Sequence, residues 1–502
     1  MENTQIWYDG AYNLAGKDLK IYLGGNTQFE NTEGKMSDDD VNGFFSTQLI
    51  KAERDKNVIN LDVQTFTEYA ADKDWGGTFN NSAENAEKLI NELLKNTNGE
   101  YYKLADAIYN ENNEEKVKQT ISNLGHNNGL VNILGVGNNL GMVGSSFFGG
   151  GLSSMGGVTQ RGQEEQAENP VSADPLPTKE EDPNKWTAWA SYSHSSINAS
   201  SYQDGGTIDG YDVRRTGILT GLRKTLSDTF SMGVLFAYSA PELNQSGAFN
   251  SYEWKQEKDG KTFTSQVIQN SYHSNIEMDD FQFALHFEKM LGRNWQLSAF
   301  LGGGAQTLEW NRKMWVDKLY EFTGDTTGNT LTATIYLIKN LQLSKNFSLM
   351  PTVGLDSEHS WLWGFREKGE GIEDLGMNLT NILATDQSYR RMTYSRQTFR
   401  IGTTATLTSP SNIYGFSGRI FYGRQISDKE SATLEYTNDF LNNKSYFSVD
   451  GHKMGRDSWN LGFGGYMYLN TAKTLTIKAD YNTIMYRNSS TQNVTAGLQW
   501  RF

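Results

Sequence analysis

Alternating apolar and polar residues over 186–502, short turns set against long polar loops, and charges in mid-strand predict a mainly β chain. The expected fold is a 12-stranded antiparallel transmembrane β-barrel of outer-membrane type, preceded by a small mixed α+β N-terminal region. Only 37% of the 502 residues are hydrophobic, and no stretch nears the roughly 18 consecutive apolar residues of a membrane helix. A barrel escapes that limit, because its apolar residues alternate with polar ones that face the bore. The chain has no cysteine, which removes disulfides, thiolate metal sites and cysteine nucleophiles from consideration. A net charge of -14 argues against nucleic acid, which needs a basic stripe.

Residues 1–80 contain short strand-like pieces, DLKIYLGG and NVINLDVQTFTEY, among Asn, Gly and Asp, with no repeat of fixed period. The opening MENTQIWYDG has neither the basic nor the apolar region of a secretory signal, so an exported chain would begin further upstream. Residues 81–157 start with two expected helices. The first, SAENAEKLINELLKN, has Ser82 as N-cap and Leu89, Ile90, Leu93 and Leu94 on one face. The second is EYYKLADAIYNENNEEKVKQTISNL, and a Gly/Ser-rich apolar run follows it. Residues 158–185 hold four of the seven prolines and a run of acids, the composition of an extended tether.

From 186 onward the rhythm gives 12 strands, starting near Trp186, Gly210, Phe230, Gln269, Trp295, Thr330, Phe347, Thr393, Ile413, Asp457, Thr474 and Thr491. Five short turns, LSDTF, LGRNW, SKNF, SPSN and NTAK, join alternate pairs, and six long loops are expected between the rest. That asymmetry and the even strand number suit an outer-membrane barrel, whose short turns face the periplasm.

A soluble β-sandwich is the competing reading, and three features weigh against it. Glu288, Arg400, Lys478 and Asp480 stand in mid-strand beside apolar neighbours. A sandwich core would bury such charges at severe cost, whereas a watery lumen solvates them. Trp186, Phe230, Trp295 and Phe347 sit at strand ends on the inferred periplasmic rim, where amphipathic rings prefer the headgroup level. The segments also reach the ~9–11 residues that cross a bilayer. The last of them is NVTAGLQWRF, a strand running to the final residue with Trp500 and Phe502 on its apolar face.

Taken in order, these parts resemble the C-terminal translocation unit of a bacterial autotransporter, a type V secretion protein. WTAWASY opens the barrel and TAGLQWRF closes it. The closing string is similar to an outer-membrane assembly signal, with Thr495, Gly497, Trp500 and Phe502 in its slots. The resemblance implies a passenger remnant over 1–80, a helical pre-barrel region over 81–157, a tether over 158–185 that threads the lumen, and the barrel over 186–502. It further implies a monomer in outer-membrane lipid, inserted by the barrel assembly machinery with periplasmic chaperones, displaying or exporting its own N-terminal region at the cell surface. The alternative is a free-standing outer-membrane channel or barrel enzyme with a periplasmic N-terminal domain.

No catalytic, cofactor-binding or metal site is expected. DDDVNGFFSTQL half-matches a calcium loop through Asp38, Asp40, Asn42 and Gly43, but Leu49 replaces the bidentate Glu, and a solvated turn is the better reading. GVGNNLG at 135–141 lacks the strand and helix of a phosphate loop and reads as an apolar hinge. Its Asn138 and Asn139 resemble the junction at which some autotransporters cleave themselves, although they stand far upstream of Trp186. The six histidines show no metal-ligand spacing, and no Ser/His pair stands out.

Overall fold

The computed structural model describes Tyr8, most of residues 11–73, scattered residues between 83 and 133, and most of 186–502. From Trp186 onward each long strand pairs antiparallel with the next, and the last returns to the first, closing a ring of 12. The first half comprises β1 (Trp186–Ala199), β2 (Tyr211–Ser227), β3 (Phe230–Ser246), β4 (Tyr272–Met290), β5 (Trp295–Trp315) and β6 (Leu319–Lys339). The second comprises β7 (Phe347–Leu362), β8 (Met392–Thr408), β9 (Tyr414–Gln425), β10 (Asp457–Tyr468), β11 (Leu475–Tyr486) and β12 (Ser489–Arg501). At the seam β12 pairs with β1, and Trp186 and Phe502 exchange backbone hydrogen bonds of 2.8 and 3.0 Å. A closed ring leaves no unpaired edge, the condition for β-structure in lipid.

Eleven strands begin within three residues of the expected position; the exception is β6, which begins at Leu319 instead of near Thr330. Strands β5 and β6 run on as a ribbon of 21 residues each, paired out to Trp315 and Leu319. Cross-strand hydrogen bonds satisfy the backbone in water as well as in lipid, so a strand need not stop where the bilayer does. The expected long loop between β11 and β12 is instead the two residues 487 and 488. Asn488 ties that turn down by donating to the carbonyls of Met454 and Lys453.

Side chains are distributed inside out relative to a soluble protein. On the outer face Phe463 is 65% exposed and Ile401 51%, while on the inner face Arg400 is 8% exposed and Glu288 3%. Strand alternation requires one such partition, and an apolar exterior is stable only where lipid covers it.

The N-terminal region is built the ordinary way. Lys17–Tyr22, Val58–Val63 and Ile50–Asp55 form a three-stranded antiparallel sheet in that spatial order. Beneath it Ile59, Leu61, Val63, Phe66 and Tyr69 are buried. Two readings are corrected here. The acidic DDDVNGFF is a helix, Asp38–Phe45, with Ser37 and Asp40 forming a reciprocal capping box, so it is neither a calcium loop nor a turn. Its three aspartates occupy the first turn, where the helix dipole favours anions. Likewise the strand-like NVINLDVQTFTEY ends in a helix, Phe66–Asp72, because Thr65 and Glu68 form a second capping box.

Downstream, Ala83, Ala86 and Ile90 are helical and buried, while Ser82, Leu89, Leu93 and Leu94 lie outside the described residues. The second expected helix is broken: Ala105, Ile108 and Tyr109 are helical, 110–112 are not, and Val117 and Ile121 are helical again. The break is held on the sheet side, with Gln48 donating to the Asn112 carbonyl at 2.8 Å and Asn110 exchanging hydrogen bonds with the Tyr8 backbone. The tether and the 135–141 segment lie outside the described residues.

Candidate functional site: the bore and its two rims

The short-turn rim carries the aromatic residues singled out from the sequence, all on the outer face. Trp186, Phe230 and Trp295 each stand directly across from a lysine, Lys224, Lys289 and Lys339, whose Nζ lies 5.2, 5.8 and 5.3 Å from the ring centre. Phe347 pairs with Leu407 instead. A ring with an ammonium group above it suits the headgroup layer, because the lysine stem covers apolar surface while its charge stays wet. Sequence reading found the rings and missed the lysines; the signal was a lysine at the far end of each partner strand. Trp500 and Phe502 are also outward, each 55% exposed, with ring centres 4.8 Å apart. Thr495 and Gly497 face inward, and a Cβ at Gly497 would come within 2.7 Å of Ala190 O and Ser191 Cβ at the closing seam.

Above this rim the bore is lined by paired charges. Glu288 accepts from Arg223 at 3.1 Å and lies 3.5 Å from His286. Asp480, half-buried and facing inward, pairs with Arg419 at 3.3 Å. A Cβ at Gly464 would fall 2.0 Å from the Asp480 carboxylate, so glycine there lets that side chain lie across the neighbouring strand. Arg400 bonds Asp356, which also accepts from the Tyr336 hydroxyl at 2.5 Å. Lys478 is buried, its Nζ has no hydrogen-bond partner among the described residues, and it lies 5.8 Å from the centre of the Tyr466 ring. The four lumen candidates thus all point inward, Glu288 from β4, Arg400 from β8, and Lys478 and Asp480 from successive inward positions of β11.

At the opposite rim the inner face turns apolar. Leu243, Ile276, Leu308, Trp310, Phe322 and Leu434 are buried there and join one continuous core with the N-terminal region. Inside this collar Arg312 pairs with Glu367 at 2.7 Å, and Tyr389 donates to the same carboxylate at 2.9 Å. Asn132 bridges the collar's edge, donating to Gln245 at the tip of β3 at 3.1 Å and accepting from the His452 N–H at 2.7 Å. His452 lies between the Tyr202 and Tyr211 rings, and burial pushes its pKa down. Neither the collar nor Asn132 was legible beforehand, since a strand's inner face is expected to stay polar along its length.

On chemistry, no group of three or more potential metal ligands occurs among the described residues. One Ser/His pair does exist, which sequence reading did not expect: His359 Nδ1 bonds Ser395 Oγ between directly paired positions of β7 and β8, on the outer face.

A family model of the autotransporter β-domain matches residues 188–482, more than half of the chain. The chain belongs to the autotransporter β-domain family. Among solved structures, the translocator domain of the autotransporter NalP from Neisseria meningitidis is similar at 11% identity and a TM-score of 0.45, covering 71% of this chain and 100% of that one. The transport unit of AIDA-I from Escherichia coli has 11% identity and a TM-score of 0.37, over 69% and 99% of the two chains. The β domain of the Bordetella autotransporter BrkA has 13% identity and a TM-score of 0.38, over 64% and 100%. A search of curated proteins gives no match. As an autotransporter the barrel is an outer-membrane translocator, present as a single-chain ring.

Proposed function

We propose that this autotransporter exports its own N-terminal region through the bore and holds it at the cell surface, with residues 1–80 as passenger remnant, 81–157 as pre-barrel region and 158–185 as the tether inside the lumen. One observation carries the reading. Asn132 is bonded at the long-loop rim, whereas Trp186 begins β1 at the short-turn rim beside Phe502. Residues 133–185 must therefore connect opposite ends of the barrel, and lipid does not accept an unpaired backbone on the outside. The 28 residues of the tether, at ~3.3 Å each, reach about 90 Å, against ~40–45 Å for a bilayer. Charge supports the same route: the tether is acidic, and Arg400, Arg419 and Lys478 present positive charge on the inner wall. In this reading Thr495, Gly497, Trp500 and Phe502 are recognised by the assembly machinery after delivery by periplasmic chaperones, the rim rings anchor the barrel, and the protein acts by transport without catalysis of its own.

Protease treatment of intact cells tests the proposal. Removal of residues 1–100 with an intact, membrane-embedded remainder is the expected result. Full protection of those residues, lifted only when the outer membrane is opened, would instead indicate a channel with a periplasmic domain.

A further inference from the structure

We infer that the barrel has a permeability barrier of its own: a web of charged and aromatic side chains, centred on Glu358 and Arg396, that crosses the bore from wall to wall. Glu358 and Arg396 are direct cross-strand partners on β7 and β8. From there Arg396 reaches β11, its guanidinium lying 4.8 Å from the Tyr486 ring centre. Glu358 is also within electrostatic reach of Arg215 on β2, which in turn interacts with Asp280 on β4. Tyr211, at the start of β2, is similarly close to Tyr394, Arg396 and Tyr486.

Ring geometry gives these interactions their meaning. In a closed ring of 12, β2 and β8 are six strands apart by either path, so their side chains can meet only across the lumen. Burial agrees: Arg215 is 2% exposed, Tyr211 4%, Tyr394 7% and Arg396 9%, values incompatible with a wide water column at this level. The web is also self-neutralising. Arg215, Arg396 and Arg400 face Asp280, Asp356 and Glu358, so the wall itself supplies both signs of charge. An ion entering the bore must part these pairs, which the low local dielectric makes strong. A polypeptide in transit would displace the same side chains by rotamer changes, without altering the strand ladder.

The inference does not depend on where residues 1–80 reside. It is tested on the full chain reconstituted in planar lipid bilayers, with ion conductance as readout and heat-dependent gel migration as the check on folding. Tyr486→Ala removes the far anchor of Arg396 without stranding a buried charge, and Arg396→Ala cuts the web at its centre. Both are expected to raise conductance several-fold over wild type, while Arg396→Lys gives a smaller rise and Arg424→Ala, on the outer surface, gives none. Folded Tyr486→Ala and Arg396→Ala barrels that conduct no more than wild type would overturn the barrier, because the seal would then belong to the upstream chain alone.

Discussion

The two halves of this molecule solve the same alternation in opposite ways. In the N-terminal sheet, Val58–Val63 buries Ile59, Leu61 and Val63 and exposes Asp62, and water bathes the polar side. In the barrel, β8 buries Arg396, Thr398 and Arg400 and exposes Phe399 and Ile401. The backbone geometry is alike in both; what differs is the solvent on each side. Apolar burial by protein fills space at crystal-like density, whereas apolar burial by lipid is fluid and leaves no fixed cavity.

Matched substitutions separate the two. The largest effect is expected for Leu61→Ala in the N-terminal core, about 2–5 kcal/mol from lost transfer energy plus a cavity, read by hydrogen exchange of residues 17–63 in the full chain. Ile401→Arg should cost about 2–4 kcal/mol if that position lies near the bilayer midplane, read from the folding equilibrium into lipid vesicles. A neutral Ile401→Arg would mean that something other than lipid covers that face. Ile401→Ala should cost less than about 2.5 kcal/mol, because acyl chains fill the gap and no cavity term is added. Thr65→Ala removes a helix cap and should cost about 1 kcal/mol, confined to the N-terminal region.

Acid supplies the smallest and most selective probe. Hydrogen bonds from the Ser37 side chain and backbone lower the Asp40 pKa, and the Lys51 and Gln64 side chains lower that of Asp72. Because the folded values lie below the unfolded ones, the unfolded state binds more protons as pH falls. That stabilisation is complete above the unfolded value near about 3.9 and is lost as pH drops through the lower folded values. Amide protection should therefore fall first around the helices Asp38–Phe45 and Phe66–Asp72, with β1 to β12 unchanged over the same window.

Much of the barrel was legible because period-two alternation is a local property. Trp186, Phe230, Trp295, Phe347 and Asp457 start strands where the pattern said, and Glu288 and Lys478 face inward for the same reason. Misreadings arose where a short-range signal was overlooked or a long-range one was needed. The Thr65 to Glu68 capping box was available in the sequence and was outweighed by the β-branched run before it. By contrast, the lysines over the rim rings, the Asn132 bridge and the Arg396 guanidinium over the Tyr486 ring join residues far apart in the chain.

By itself the sequence determined which residues alternate, where turns fall and which face of each strand carries charge, since these depend on neighbours within a few residues. Only the tertiary structure decided ring closure, partners for the inward charges and the capping of the long-loop rim. Those depend on which strands stand opposite each other across the bore, and strand register, unlike alternation, is a property of pairs.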